Sequence, residues 1–185
     1  MSARLSYGRV DASGLPQIFL LPGTMHCSPD PALVITVLGS CVAVCLTDRT
    51  RGLSGINHFM LPYGEGQSSL RYGDFAIDEL IGTMLRLKCR MDTIEAKVFG
   101  GAAVLPMNSP ENNVGTRNVE IAISRLRAHG IPIVARRTGG KRGLSVRLFT
   151  ASGDVLVRRI ASSVVRQGNE VLPVHDTNRG YARGP

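Results

Sequence analysis

Residues 36–62, TVLGSCVAVCLTDRTRGLSGINHFMLP, restrict the fold of this chain more than any other stretch. Val42, Val44 and Leu46 alternate with Ala43 and Cys45, which is the period of a strand rather than of a helix. Residues 47–51 have the composition of a turn, and residues 52–61 supply a returning strand. Pairing Thr47 with Gly52 sets Cys41 directly opposite His58 on one face, with Cβ atoms about 4.5–5.5 Å apart. A thiol and an imidazole at that separation can share a proton, so they form a candidate nucleophile and base. If Gly52 instead closes the turn as a bulge, the pairing slips by one residue and Phe59 opposes Cys41.

The surrounding pattern fills one α/β domain with mixed sheets. Strands are expected at 17–21, 33–38, 93–99, 131–137, 143–150 and 154–160, and a loop carrying His26 and Cys27 at 24–31. Asp74 is placed to cap a helix running to about Met91, whose stripe is Ile77, Leu80, Ile81, Met84 and Leu85. A second helix is expected over 116–129, with Val119, Ile123 and Leu126 inward and Gly130 as its stop. Residues 1–14 read as a disordered N-terminus, 15–162 as the domain and 163–185 as a largely irregular extension. No run nears the ~18 apolar residues of a membrane span, and no secretory signal is legible. Both point to the cytoplasm, where Cys27, Cys41, Cys45 and Cys89 stay reduced.

The formal net charge is +8, which suggests an acidic partner surface. The basic residues are scattered pairs such as Arg136-Arg137, Lys141-Arg142 and Arg158-Arg159, without aromatic interleaving. Solvated basic faces are therefore preferred to nucleic-acid binding. Cys41, Cys45, His26, Cys27 and His58 suggest zinc at first sight. Along a strand, however, Cys41 and Cys45 stand about 13 Å apart, too far for two thiolates on one ion. No metal and no cofactor is expected, since no dinucleotide or Walker pattern occurs.

Cys45 and Cys89, among apolar neighbours, read as small hydrophobes. Cys27 is a rival nucleophile, but the adjacent His26 points to the opposite face of an extended chain. His58 alone would fit a satisfied core histidine; its inferred opposition to Cys41 raises it. An imidazolium beside Cys41 would lower the thiol pKa and favour the thiolate. The Gly39-Ser40 turn lets the backbone approach a ligand, and its N–H groups can bind a developing oxyanion.

The stretch LGSCVAVCLTD…GLSGINHFMLP resembles the CheD family of chemoreceptor glutamine deamidases. RYGDFAIDELI from Arg71, AKVFGGA from Ala96, NVGTRNVE from Asn113 and TGG from Thr138 extend the likeness over residues 19–160. The resemblance implies hydrolysis of glutamine side chains on methyl-accepting chemotaxis receptors, with Cys41 as nucleophile and His58 as its base. Receptor methyl-ester hydrolysis would follow as a secondary activity. It also implies an orienting threonine, six residues upstream of the cysteine in family members. Ile35 stands there in this chain and Thr36 one residue later, and a one-residue shift in a strand reverses the face. The expected site is therefore Cys41, His58 and Thr36, with Gly39, Ser40, Asn57, Gly100 and Gly101 as an oxyanion or substrate shell. The family is similar in fold to the catalytic domain of cytotoxic necrotizing factor toxins, which implies mixed β-sheets layered with outer α-helices. Its implied partners are the acidic cytoplasmic region of the receptors and a CheC-type phosphatase. The rival reading is a non-catalytic adaptor for those same partners.

Overall fold

The computed structural model describes residues 14–103 and 113–160. The N-terminal segment and the C-terminal extension of the sequence reading lie outside these residues, apart from Gly14.

Among the described residues nine strands and two helices follow in the order β1 (Gln17–Phe19), β2 (Thr24–Cys27), β3 (Leu33–Leu38), β4 (Val42–Asp48), β5 (Leu53–His58), α1 (Gly73–Arg86), β6 (Ile94–Gly100), α2 (Val114–Ala128), β7 (Ile133–Thr138), β8 (Leu144–Phe149) and β9 (Val155–Arg159). They build a four-stranded sheet, β1-β3-β8-β9, and a five-stranded sheet, β2-β5-β4-β6-β7. Both sheets are mixed: β1 runs parallel to β3 and β6 to β7, and the other pairs are antiparallel. The expected mixed α/β domain is what the chain forms.

Two apolar layers explain why every residue of β4 is buried. Val42, Val44 and Leu46 join Ile77, Leu80, Met84, Ile121 and Leu126 in a core between the five-stranded sheet and the helices. Ala43, Cys45 and Ile56 join Val34, Leu38, Val146 and Leu148 in a second core between the sheets. A strand buried on both faces reads as a nearly continuous apolar run, as β4 does. Among the described residues no helix is long and apolar enough to cross a membrane.

Several expectations are corrected. The segment with His26 and Cys27 is an edge strand, β2, paired with β5. The β4–β5 pairing joins Thr47 to Ser54 and Asp48 to Leu53, not Thr47 to Gly52. The Asp48 carboxylate accepts the Thr50 and Arg51 N–H groups, and Gly52 takes φ +60°, so the turn occupies 49–52. The strands are thus displaced by two residues, an even step that keeps Cys41 and His58 on one face. Phe59 pairs with Val42 and packs on the helical side, so the one-residue slip does not occur.

Helix α1 ends at Arg86 rather than Met91. Lys88, at φ +66°, lets the Cys89 N–H reach the Met84 carbonyl and its own N–H the Leu85 carbonyl, a Schellman stop made without glycine. Leu85 is 40 % exposed and leaves the inward stripe. Asp74 lies in the first turn, after the cap residue Tyr72. In α2 the cap is Asn113, and Gly130 closes the expected C-terminal stop, with Ile131 N–H on the Leu126 carbonyl. The fully buried residues of α2 include Gly115, Asn118, Ala122 and Leu126, whereas Val119 and Ile123 are only partly buried.

Candidate active site

Strand β3 is buried along its length except at Val37. Val34, Thr36 and Leu38 face the other sheet, while Val37 is 59 % exposed. His58, at the end of β5, is buried against that face. Thr36 Oγ1 stands 2.8 Å from His58 Nδ1 and 2.9 Å from the Leu20 carbonyl oxygen. A carbonyl can only accept, so the Thr36 hydroxyl donates to Leu20, and its oxygen accepts from His58 Nδ1–H. This network assigns the neutral imidazole its tautomer, with the lone pair on Nε2. Nε2 is buried and has no hydrogen-bond partner. The family spacing set Thr36 on the wrong face, yet the side chain lies on the face that His58 occupies.

Cys41 is half-buried at the start of β4, where the chain passes from one sheet to the other. With Val42 opposite Phe59, Ala43 opposes His58, and Cys41 is its diagonal neighbour on the same face. No hydrogen bond joins the thiol to Nε2. Burial pushes the Cys41 thiol above its ordinary value, against the pull of its own N–H. Burial also lowers His58 to about 4, with the Leu20 carbonyl opposing. Both shifts favour uncharged forms, so the resting pair is a thiol and a neutral imidazole, not the expected thiolate and imidazolium.

The main chain around Cys41 is held on several sides. Its carbonyl accepts the Gly101 N–H at 2.8 Å, and the Gly39 carbonyl accepts the Ala102 N–H at 2.9 Å. Gly100 has φ +105°, and a Cβ there would overlap the Cys41 carbonyl. The Asn118 amide nitrogen donates to the Ser40 carbonyl at 3.0 Å and to the Met60 carbonyl at 2.8 Å, tying the Cys41 loop to the end of the His58 strand. Among the described residues no acceptor of another residue takes the Ser40 or Cys41 N–H.

The expected shell therefore divides. Gly39 and Ser40 flank the thiol, while Gly100 and Gly101 act on the Cys41 backbone. Asn57 turns to the helical side, where its oxygen takes the Val44 N–H and its nitrogen donates to the Ala76 carbonyl. It does not reach the thiol side, because neighbouring strand residues face opposite ways. Sequence reading missed Asn118; its signal is a polar residue on the inward stripe of α2, between Gly115 and Ala122.

The remaining cysteines lie apart from this pair. Cys45 is buried between the sheets and Cys27 packs on the helical core, each thiol pushed up to about 12, mainly by burial. Cys89 is buried beside α1.

Comparison with known proteins agrees with this architecture. The family model described as CheD chemotactic sensory transduction matches residues 60–159, more than half of the chain. A protein of Rhodospirillum rubrum, named probable chemoreceptor glutamine deamidase CheD, is 51% identical over 90% of this chain and 96% of its own. One of Trichlorobacter lovleyi with the same name is 41% identical, over 80% of this chain and 94% of its own. Another such protein, from Dechloromonas aromatica, is 42% identical over 80% of this chain and 75% of its own. The family match and these relatives place the chain in the CheD family.

Proposed function

We propose that this chain is a protein-glutamine deamidase acting on methyl-accepting chemotaxis receptors. The observation that carries the reading is the unpaired His58 Nε2, its lone pair fixed by the Thr36 hydroxyl on the face shared with Cys41. The names of the relatives supply the substrate.

In this mechanism the Cys41 sulfur attacks the carboxamide carbon while His58 Nε2 takes the thiol proton. Because the resting thiol is neutral, proton removal accompanies attack rather than preceding it. The tetrahedral oxyanion is received by the Cys41 N–H, with Ser40 N–H as its neighbour. His58 then passes its proton to the leaving nitrogen, and ammonia departs to leave a thioester. Water, deprotonated by the same nitrogen, attacks that thioester and releases glutamate and the thiol. Thr36 is a positioning residue, holding Nδ1–H through both half-reactions. A receptor methyl ester would enter the same cycle, with methanol as the leaving group.

The competing reading is an adaptor for receptors or a CheC-type phosphatase, favoured by the missing hydrogen bond between Cys41 and His58. Incubation with a receptor cytoplasmic fragment separates the two. Deamidation adds about 1 Da per glutamine to the intact fragment. Identical spectra from wild type and Cys41→Ala would sink the enzyme reading.

A further inference from the structure

Two loops cross between the sheets side by side. Residues 39–41 carry the chain from β3 to β4, and residues 139–143 carry it back from β7 to β8. The Gly139 N–H donates to the Gly100 carbonyl, and the Gly140 carbonyl accepts the Ala103 N–H. Gly143 packs against the Leu38 carbonyl, and Leu144 pairs with Leu38. The second loop therefore rests on the backbone that carries Cys41. Beside it opens a cleft of about 430 Å³ whose charged lining is Arg137, Lys141, Arg142 and Arg159. All four are exposed, and among the described residues none of them makes an ion pair or a side-chain hydrogen bond. Among the described residues no acidic side chain lines the cleft.

We propose that this cleft docks an acidic segment of the protein substrate, holding carboxylates near the glutamine presented to Cys41. The glutamine half of the statement rests on the deamidase reading; the carboxylate half does not require turnover. Unpaired arginines offer forked donors matched to carboxylates, and several cations of one sign around a concavity focus the field there. Among the described residues the lining contains no aromatic ring on which a base could stack, which disfavours RNA or single-stranded DNA. Gly139 has already committed its N–H to Gly100, so the glycine pair is not an open phosphate nest. A bilayer surface would meet the rims of the cleft and leave its charged interior unfilled.

The test uses the full chain carrying Cys41→Ala and two synthetic peptides of equal length with a central glutamine. One peptide has flanking glutamates, and in the other serines replace them. The acidic peptide is expected to bind about tenfold more tightly or better, and raised salt should erase the difference. Replacing Lys141→Ser and Arg142→Ser together should remove about tenfold of that affinity. Lys88→Asn with Arg127→Ser removes the same charge elsewhere and should change binding less than about twofold. Circular dichroism confirms that each variant is folded. Equal weakening by both double variants would reduce the effect to net charge and overturn the proposal. So would equal binding of the two peptides, or tighter binding of an RNA oligonucleotide or of anionic vesicles than of the acidic peptide. A wild-type chain that leaves a receptor fragment undeamidated, while the peptide difference persists, would count against the deamidase reading and support the docking cleft.

Discussion

The Thr36 hydroxyl joins the two sheets at His58, accepting from Nδ1–H at 2.8 Å while donating its own proton to the Leu20 carbonyl. One side chain thus decides which imidazole nitrogen can act as a base. Thr36→Val keeps the shape and removes the acceptor. Deamidation should fall about 10- to 100-fold, since the tautomer and ring orientation are no longer held. The buried Nδ1–H left without a partner should lower stability by about 1–3 kcal/mol. Thr36→Ser should recover most of both. Rates on a receptor fragment and ¹⁵N chemical shifts of His58 in the two variants check this. Unchanged shifts in Thr36→Val would refute the tautomer assignment.

Burial of His58 makes stability depend on pH in a definite direction. Its folded value is about 4 against an ordinary 6.5, so between these limits the unfolded chain binds the proton and the native chain does not. The contribution is complete above pH 6.5 and is lost as pH falls toward 4, about 3 kcal/mol at most. In urea titrations His58→Gln should flatten the pH dependence in this window relative to wild type. A slope unchanged by the substitution would contradict it.

The same uncharged pair predicts a slow free thiol. Because burial raises Cys41 above the ordinary value of 9.0, its alkylation by iodoacetamide should be slow at pH 7 and still rising past pH 9. Peptide mapping identifies the modified residue. Rapid alkylation of Cys41 with a plateau below pH 7 would restore the thiolate–imidazolium pair.

The face shared by Cys41 and His58 was legible because strand periodicity survives an even displacement, although the assumed register was wrong. The displacement arose from Asp48, whose carboxylate gathers the turn N–H groups and, with its other oxygen, the Arg90 N–H and Thr93 hydroxyl from the connection between α1 and β6. That last contact is long-range, and no local turn rule contains it. The stop at Lys88 was hidden for a related reason, since a non-glycine residue adopts the left-handed cap. Strand parity was no guide to the face of Thr36, because the count to Cys41 crosses the Gly39-Ser40 turn. Through a turn, strand parity no longer relates the two faces. Asn118 stood out only as a polar residue on an inward stripe, because its partners, Ser40 and Met60, come together only in the tertiary fold.

Asn118 is expected to couple the Cys41 loop to the His58 strand through its amide nitrogen. Asn118→Asp is nearly isosteric but places a carboxylate against the Ser40 and Met60 carbonyls. It should destabilise the domain by about 3 kcal/mol or more, since the charge would be buried without donors. Asn118→Ser, uncharged and smaller, should cost less stability yet still slow turnover, because Cys41 is no longer held relative to His58. Denaturant midpoints and deamidation rates separate these effects. Full activity in a folded Asn118→Ser protein would remove the residue from the positioning role.

Gly100 offers the most local test of how the nucleophile backbone is held. It combines φ +105° with a position where any Cβ would overlap the Cys41 carbonyl, the same oxygen that accepts the Gly101 N–H. Gly100→Ala must therefore shift either β6 or the Cys41 peptide. The left-handed strain alone is of order 1–3 kcal/mol, and the displaced contact adds to it. Gly130→Ala has open space around its Cβ and a positive φ of 69°, so it measures the strain without the overlap. Gly100→Ala should lose more stability than Gly130→Ala, and lose deamidation under conditions where it remains folded. Equal loss of stability in the two variants, with turnover retained in Gly100→Ala, would show that the close approach to Cys41 does not matter to the site.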